Sequence, residues 1–374
     1  MRILELANFS AGGCGVFARV KSESELLSRN HEVRIFSSDF VKGSSEKAAQ
    51  FEQIGKVKIQ RFKAIKLGGE SFMYWSFAKE AIAFKPDIIF AHGYRHLHTT
   101  QALNLGKKLN IPVVLVTHAP FVEGDSTRSF PQKLAVRFYD FFIGSRTLNN
   151  FSKIAIIAHW EKEYLKKLNI SSNKIVYLPN GISPDYFNGN PQSKNEDILF
   201  LGRISPIKDI GTLIKSISLL SNKKTKLYLA GPIEEEYGNE LKKIVDERIL
   251  KGRISFLGPI YNLAKKIKLI DNFKIFILPS RKEGMPQALI EAMARQRTVI
   301  ASNNQGCRAI VRHKVNGYLF RIGDEEDLAK KIEMAFKEDS QEIRENARAS
   351  VREYLWPEII RKTENLIKNL VKNK

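Results

Sequence analysis

The chain of 374 residues contains only two cysteines, Cys14 and Cys307, which lie far apart and show no metal-ligand spacing. Neither a disulfide framework nor a zinc site is therefore expected. No run of about eighteen apolar residues occurs, which argues against a membrane-spanning helix. The first ten residues lack the charged and apolar sections of a signal peptide, so we expect a cytoplasmic protein.

Two common ligand-binding signatures are also missing. The glycine turn after the first predicted strand reads GGCG rather than G-x-G-x-x-G, and no acidic residue ends the next strand, at 31–38, so a dinucleotide cofactor is not expected. There is no convincing Asp-x-Asp loop for a divalent metal. The acidic residues at 324–327 are typical of a helix start, where they complement the helix dipole.

Acidic residues are a minority overall, with 40 Asp and Glu against 61 Lys and Arg, which gives a net charge of +21. Three partners could account for this excess: nucleic acid, an anionic membrane surface or a phosphorylated substrate. The lysines are spread along nearly every predicted helix, which fits an ordinary solvated surface equally well. The charge alone does not choose among these interpretations.

Strand and helix patterns alternate from end to end, which predicts an α/β protein with parallel sheets. Residues 183–197 are rich in turn formers and poor in aliphatic residues, which indicates a linker. We therefore predict a first Rossmann-like domain over residues 1–185 and a second over 186–355. Pro357 interrupts the helical pattern, so a last helix over 356–374 is expected to pack back on the first domain.

The stretch 279–294, PSRKEGMPQALIEAMA, is expected to carry the chemistry because a strand runs there into a polar loop and then a helix. Pro286 suits the first helical position, and the following N–H groups would then be free to bind an anion. Glu283 in the loop and Glu291 in the second turn would flank that anion. A nucleotide-sugar has this layout, although glutamates near a helix start are also common simply because of the dipole.

Other candidate residues follow predicted strands. Arg203 and Lys208 lie five residues apart in a loop after the strand at 198–202, from which both can reach a diphosphate. His118 follows a central strand, whose carboxyl end should face the ligand, and is a candidate substrate contact. The secondary candidates are His92, His96 and His98.

Two surfaces of the first domain combine aromatic and basic residues. Residues 127–152 are predicted to form a helix that either lies at a membrane interface or packs against the core as an ordinary amphipathic helix. Residues 63–75 are predicted to form a loop, broken by Gly68 and Gly69 ahead of three aromatic residues. The loops at 43–55, 64–72 and 121–130 would set acceptor specificity.

Taken in order, these features resemble the retaining glycosyltransferases of family 4, which have the GT-B architecture of two Rossmann-like domains facing across a cleft. The resemblance covers essentially the whole chain. It rests on Gly12-Gly13, His118, the PNGI sequence at 179–182, Gly202-Arg203 with Lys208, Pro279-Ser280, and the E-x7-E pair of Glu283 and Glu291. One departure is Ala309, which stands where many relatives carry glutamate.

The resemblance implies roles for these residues. Arg203 and Lys208 would hold the donor diphosphate, Glu291 would bind the ribose, and Glu283 would face the transferred sugar. His118 would lie on the acceptor side, and the base would lie near 258–260. The implied donor-binding positions also include Gly12, Gly13, Asn180, Gly258, Ile260, Gly284, Met285, Pro286, Gln287, Ala288 and Leu289.

The resemblance further implies a retaining hexosyltransferase that needs no metal and no cofactor, with the two cations in place of a metal ion. The donor would be a UDP- or GDP-sugar and the acceptor a lipid-linked, polysaccharide or other glycan precursor, reached at an anionic membrane surface. Two alternatives remain open: a nucleotide-sugar epimerase of similar architecture, and a basic nucleic-acid-binding protein, although no nucleic-acid recognition module is recognised in the sequence.

Overall fold

The computed structural model describes residues 1–67, 69–121, 130–189, 195–338 and 340–372. Gly68, most of the predicted acceptor loop at 121–130, the start of the predicted helix at 127–152 and the middle of the predicted linker lie outside these residues. The chain forms two compact units. The first contains Met1–Phe121, the stretch that ends at Gly181 and the chain from Trp356 onward, and the second contains Ile182–Leu355.

The first unit is built on an eight-stranded sheet in the order β10-β9-β8-β7-β1-β2-β4-β3. The strands of the first unit, inside and outside this sheet, are β1 (Arg2–Ala7), β2 (Glu32–Ser38), β3 (Phe51–Ile54), β4 (Val57–Phe62), β5 (Ala64–Lys66), β6 (Met73–Trp75), β7 (Ile88–His92), β8 (Val113–Val116), β9 (Lys153–Ile156) and β10 (Ile175–Tyr177). All pairs in the sheet are parallel except β3 with β4, and β5 pairs with β6 in a separate hairpin. The helices are α1 (Gly15–Leu27), α2 (Ala78–Phe84), α3 (Leu97–Leu109), α4 (Phe130–Tyr139), the π-helical turn Asp140–Gly144, α5 (Ser145–Asn149) and α6 (Glu161–Lys167).

The second unit is a parallel six-stranded sheet in the order β13-β12-β11-β14-β15-β16. Its strands are β11 (Asn195–Leu201), β12 (Leu227–Ala230), β13 (Ile254–Gly258), β14 (Phe273–Leu278), β15 (Thr298–Ser302) and β16 (Tyr318–Phe320). The helices are α7 (Ile210–Leu219), α8 (Glu235–Glu247), α9 (Leu263–Asn272), α10 (Gln287–Ala294), α11 (Gln305–Arg308), α12 (Glu325–Glu338) and α13 (Gln341–Ser350). The predicted α/β class with parallel sheets is confirmed.

The last helix, α14 (Trp356–Lys372), belongs to the first unit and packs on α1. The hydroxyl of Thr363 donates to Glu23 at 3.0 Å, and Glu364 accepts from Asn30 at 3.0 Å. Trp356 lies against Gly181, where a Cβ would stand 2.3 Å from the indole ring. A glycine at 181 therefore lets the start of α14 lie close to the end of the first unit's main segment.

No helix in the described ranges is long and apolar enough to cross a bilayer.

Strand order reverses once in each sheet, and the carboxyl ends on either side of a reversal border a crevice. In the second sheet the reversal falls between β11 and β14, whose following loops carry Arg203 and Glu283. In the first sheet it falls between β1 and β7, the strands that hold Glu5 and His92. The topology therefore brings loops together that are distant in sequence.

Several local predictions are wrong. Residues 63–75, predicted to be a loop, contain the β5–β6 hairpin, and the predicted loop at 43–55 ends in β3. Strand β3 is largely exposed, so it lacks the apolar alternation that reveals a strand. Pro286 is the N-cap of α10 rather than its first residue.

Replacing Gly231 by alanine should destabilise the second unit. Gly231 has φ +148°, and a Cβ there would lie 1.8 Å from the carbonyl oxygen of Gly202, so the loop after β11 would have to shift. We expect a loss of about 1–3 kcal/mol and a lower midpoint of thermal unfolding. Gly211→Ala is the matched control, because its Cβ would meet only the ends of side chains, the nearest being Ile244 at 3.3 Å. Equal midpoints for the two variants would contradict this account.

Candidate functional site

The loop after β14 is fixed by hydrogen bonds from neighbouring elements. The side chains of Ser302 and Asn304 both donate to the carbonyl oxygen of Ser280, the latter at 2.9 Å. Arg281 N–H donates to the carbonyl of Ile207 at 2.9 Å, which ties this loop to the loop after β11. These contacts hold the two loops at the reversal point of the sheet in a defined position.

α11 packs directly against the backbone of Glu283. A Cβ at Gly306 would lie 2.3 Å from the carbonyl oxygen of Glu283, so only glycine permits this approach. Cys307 follows and is fully buried. Burial, together with the charge of Glu283, raises the pKa of the Cys307 thiol, which therefore stays protonated and is a packing residue rather than a nucleophile.

Glu283 forms an ion pair with Lys208. Lys208 Nζ donates to Glu283 Oε1 at 2.5 Å, and both side chains are largely buried. Lys208 ends a short 3-10 turn after β11, whereas Glu283 lies in the loop after β14. The structure therefore brings together two predicted site residues that are separated by 75 positions in sequence.

Glu291 is held by a second lysine, which the sequence analysis missed. Lys266 Nζ on α9 donates to Glu291 Oε1 at 2.8 Å and to Oε2 at 2.9 Å. Nothing in the sequence distinguishes Lys266 from its neighbours Lys265 and Lys268. Burial and the charge of Glu291 raise the pKa of the nearby Tyr186 phenol, which therefore remains a neutral hydroxyl.

The start of α10 lies between Glu283 and Glu291, the acidic members of these two ion pairs, in sequence. Pro286 caps the helix without a side-chain bond, and the first-turn N–H groups of Gln287, Ala288 and Leu289 have no carbonyl partner within the helix. The side-chain Nε2 of Gln287 is buried without a partner in the described part of the chain. Gly284 and Met285 lie half-buried just before this turn. A helix start of this kind favours an anion.

Arg203 differs from Lys208 because its side chain is 59% exposed. Its Nη1 donates to Glu234 at 3.2 Å, also at the surface. An exposed ion pair is worth about 0–1 kcal/mol, so the guanidinium can exchange this partner for an anionic ligand at little cost. Gly258 is the last residue of β13, which lies two strands away from β11, and Ile260 follows it. The carbonyl of Gly258 accepts a backbone bond from Gly231 at 2.8 Å.

The remaining predicted residues lie in the first unit. Gly12 has φ +81°, and a Cβ there would stand 2.4 Å from the carbonyl oxygen of Lys42, whereas Gly13 borders open space. Asn180 Oδ1 accepts from Arg19 Nη1 at 3.0 Å. His118 Nε2 lies 2.8 Å from His92 Nδ1.

Among the described residues, no group of three or more His, Cys, Asp or Glu side chains could hold a metal ion. Asp324, in the acidic stretch at 324–327, accepts a bond from the N–H of Asp327 at 2.8 Å and so caps the start of α12. This is the structural role expected for acidic residues at a helix start.

The fold has close relatives among solved structures. Sucrose-phosphate synthase from Thermosynechococcus elongatus superposes with a TM-score of 0.80 at 18% identity, over 100% of both chains. The Anabaena protein HepE, solved in complex with UDP and glucose, gives 0.77 at 16% identity, over 99% of this chain and 100% of that one. With two parallel-sheet α/β units, the protein has the GT-B glycosyltransferase fold.

Two family models divide the chain between them. Residues 15–186 match the model "Glycosyltransferase Family 4", and residues 184–353 match "Glycosyl transferases group 1". Together the two models cover residues 15–353, so the chain is similar to the glycosyltransferases of family 4 over most of its length, as its sequence motifs indicated.

Curated relatives match part of the chain. The capsular polysaccharide biosynthesis glycosyltransferase CapH of Staphylococcus aureus is 27% identical over 224 residues, which is 54% of this chain and 62% of CapH. The UDP-Gal:alpha-D-GlcNAc-diphosphoundecaprenol alpha-1,3-galactosyltransferase of Escherichia coli is 26% identical over 255 residues, 61% of this chain and 62% of the relative. The chain thus spans about three fifths of the length of these relatives.

Lys266→Met should destabilise the second unit by leaving the Glu291 carboxylate, only 8% exposed, without its cation. Because Lys266 is itself partly exposed, we expect a loss of about 1–3 kcal/mol rather than the full effect of a buried pair. In a double-mutant cycle with Glu291→Gln, the two substitutions should be clearly non-additive in the free energy of unfolding. Lys265→Met, on the exposed side of α9, is the control, and additive effects at Lys266 and Glu291 would contradict the pairing.

Proposed function

We propose that this protein is a retaining, metal-independent hexosyltransferase that moves a sugar from a nucleoside diphosphate sugar to a glycan or lipid-linked acceptor. The observation that carries the proposal is the arrangement in the second unit. Glu283 and Glu291, each paired with a lysine, flank the unsatisfied start of α10 in sequence, and a donor has a diphosphate between two hydroxyl-rich groups.

In this proposal Lys208 and Arg203 leave their carboxylate partners, Glu283 and Glu234, and bind the donor diphosphate. Fixed cations aimed at the diphosphate stabilise the negative charge that develops as its bond to the anomeric carbon breaks. Glu283, released from Lys208, then faces the sugar and stabilises its positive charge. The acceptor hydroxyl attacks from the same face and passes its proton to a donor phosphate oxygen, so the proposal needs no protein base.

The named relatives support the choice of substrates. The E. coli relative is named for UDP-galactose and a diphosphoundecaprenol-linked acceptor, the S. aureus relative for capsular polysaccharide biosynthesis, and HepE was solved with UDP. We therefore propose a UDP- or GDP-sugar as donor and a cell-envelope glycan precursor as acceptor. Glu291 would bind the ribose hydroxyls of the donor.

An exposed apolar surface in the first unit supports action at a membrane. Along α4 and the π-helical turn, Leu134, Phe138, Phe141, Phe142 and Ile143 are each about half exposed or more, up to 70% for Phe141. This exposed apolar surface favours an interfacial helix over an ordinary amphipathic helix that packs against the core.

Cations accompany this apolar surface. Arg137 and Arg146 are exposed beside it, whereas Asp140 is bound by Arg95 and Tyr94, which lie between β7 and α3, at 2.8 and 3.0 Å. Apolar side chains with flanking cations complement an anionic lipid surface, where each basic residue adds about 1 kcal/mol. We therefore propose that α4 to α5 docks on an anionic bilayer at the inner face of the cell membrane.

Glu283→Gln and Arg203→Ala should each lower the turnover of a UDP- or GDP-sugar at least about 100-fold, because both side chains act on developing charge. The unfolding midpoint of Arg203→Ala should stay nearly unchanged, because the ion pair that it removes is exposed. Arg248→Ala, which breaks an exposed pair with Glu325, is the matched control and should keep full activity. Turnover is measured with a panel of donors, with and without chelator.

Full activity in either site variant would refute the site assignment, and loss of activity with chelator would refute metal independence. Conversion of a nucleotide-sugar in the absence of any acceptor would favour the epimerase instead. Stabilisation of the wild-type protein by one nucleoside diphosphate, about 2.7 kcal/mol at 100 times its Kd, identifies the donor base independently of turnover.

Replacing both Phe141 and Phe142 by serine should weaken binding to vesicles that contain anionic lipid by about tenfold or more, because both rings lose their apolar contact with the bilayer. Co-sedimentation with anionic and with zwitterionic vesicles measures this effect. Ile249→Ser removes a more exposed apolar side chain, 88% exposed, from the second unit and should leave vesicle binding unchanged. Equal binding of wild-type protein and the double variant would refute the docking surface.

A further inference from the structure

Three side chains form a buried hydrogen-bonded chain in the first unit. Glu5 Oε2 lies 2.6 Å from His92 Nε2, and His92 Nδ1 lies 2.8 Å from His118 Nε2. Glu5 in β1 and His92 in β7 are 1% and 2% exposed, and these neighbouring strands border the reversal point of the sheet. These hydrogen bonds therefore run from the core to His118, which is half-buried and lies just after β8.

The backbone at the outer end of this chain is strained. His118 has φ +56° and Ala119 has φ +54°, so two consecutive residues with side chains are in the left-handed region. Such conformations cost about 1–3 kcal/mol each and cluster at functional sites. The strain fits a requirement to hold the His118 ring in one place.

The protons along the chain are coupled, because a neutral imidazole carries a proton on only one of its two nitrogens. If Glu5 is ionised, His92 donates to Glu5 through Nε2–H and must accept from His118 through Nδ1, which leaves His118 Nδ1 bare. If Glu5 is protonated, its hydroxyl donates to His92 Nε2, and His92 Nδ1–H donates to His118 Nε2. His118 then carries its proton on Nδ1. The state of a buried carboxyl thus decides whether the outer ring nitrogen donates or accepts.

The surrounding charges favour the protonated carboxyl. The cation on α1 that acts on Glu5 is Arg19, and it is already paired with Glu23 at 3.1 Å. Arg19 also donates to the carbonyl of Leu178 at 2.8 Å, and Glu23 accepts from Thr363 of α14 at 3.0 Å. A second buried negative charge at Glu5 would therefore have no cation of its own.

The pKa directions agree with this geometry. Burial, and next the charge of Glu23, raises the pKa of the Glu5 carboxyl well above its usual range, against the opposing effect of Arg19. Burial lowers the pKa of His92 to about 3 and that of His118 well below its usual range, so both rings are neutral near pH 7. His98, on α3, donates from Nε2 to the carbonyl of His92 at 2.9 Å and so holds His92, the middle member of the three hydrogen-bonded side chains, in place.

We propose that Glu5 and His92 are positioning residues that hold His118 as its Nδ1–H tautomer, so that this ring donates a hydrogen bond to an oxygen atom of the acceptor substrate and does not act as its base. Nδ1 has no partner within the described part of the chain and is the nitrogen left for a ligand. The substrate half of this inference rests on the proposed transferase function, and the tautomer half does not.

The tautomer can be read directly from the wild-type protein labelled with nitrogen-15 in its histidines. Long-range proton–nitrogen NMR spectra distinguish Nδ1–H from Nε2–H, and His118→Gln assigns the signal by its loss. We expect neutral His118 with its proton on Nδ1. Finding the proton on Nε2 would overturn the proposal without any variant of Glu5.

Two substitutions at Glu5 test its role. Glu5→Leu should give a mixture of His118 tautomers and raise the KM for the acceptor about tenfold, the usual effect of one hydrogen bond, while the KM for the donor stays unchanged. Glu5→Gln should rescue both properties, because its amide N–H can donate to His92 as the carboxyl does. A pure Nδ1–H signal in Glu5→Leu would overturn the role of Glu5.

Failure of the tautomer proposal and failure of the proposed function give different results. A mixed tautomer in Glu5→Leu with unchanged acceptor KM would refute the substrate contact of His118 alone. Absence of transfer with every donor would refute the proposed function, yet the tautomer would still be measurable.

Discussion

The candidate site depends on one electrostatic constraint: a buried carboxylate needs a cation beside it. Glu283 and Glu291 each meet this need with a lysine from a different element, Lys208 after β11 and Lys266 on α9. A buried charge without a partner is strongly destabilising, so these two contacts fix the positions of three segments around β14. In the proposed function, an anionic, hydroxyl-rich donor takes the place of these partners when it binds.

The first unit answers the same constraint differently. Glu5 and Glu23 are both buried near Arg19, but of these two carboxyl groups the guanidinium forms an ion pair with Glu23 and not with Glu5. Glu5 is matched instead by the neutral His92, and a neutral carboxyl–imidazole chain avoids the desolvation of a second charge. Charge is thus paired in the second unit and avoided at the centre of the first, where the protonation state of Glu5 sets the proton position on the half-buried ring of His118.

The fold was largely predictable because its signals are local. Alternating apolar segments and helical patterns indicated two parallel α/β domains, and motifs in the expected order indicated family 4 and marked Glu283, Glu291 and Lys208 as site residues. The antiparallel β3 and the β5–β6 hairpin were missed because they are short, and β3 is largely exposed and carries no apolar period. Pro286 was placed one position too far into α10, since a proline fits both the cap and the first turn.

The sequence by itself determined the class of fold, the family and the residue types available for chemistry, because these follow from local patterns and motif spacing. Only the tertiary structure decided the partners. Lys266 meets Glu291 across 25 positions, and His92 meets Glu5 across 87 positions and His118 across 26. Such pairs depend on which strands the sheet makes neighbours, and strand order is a property of the whole chain rather than of any segment.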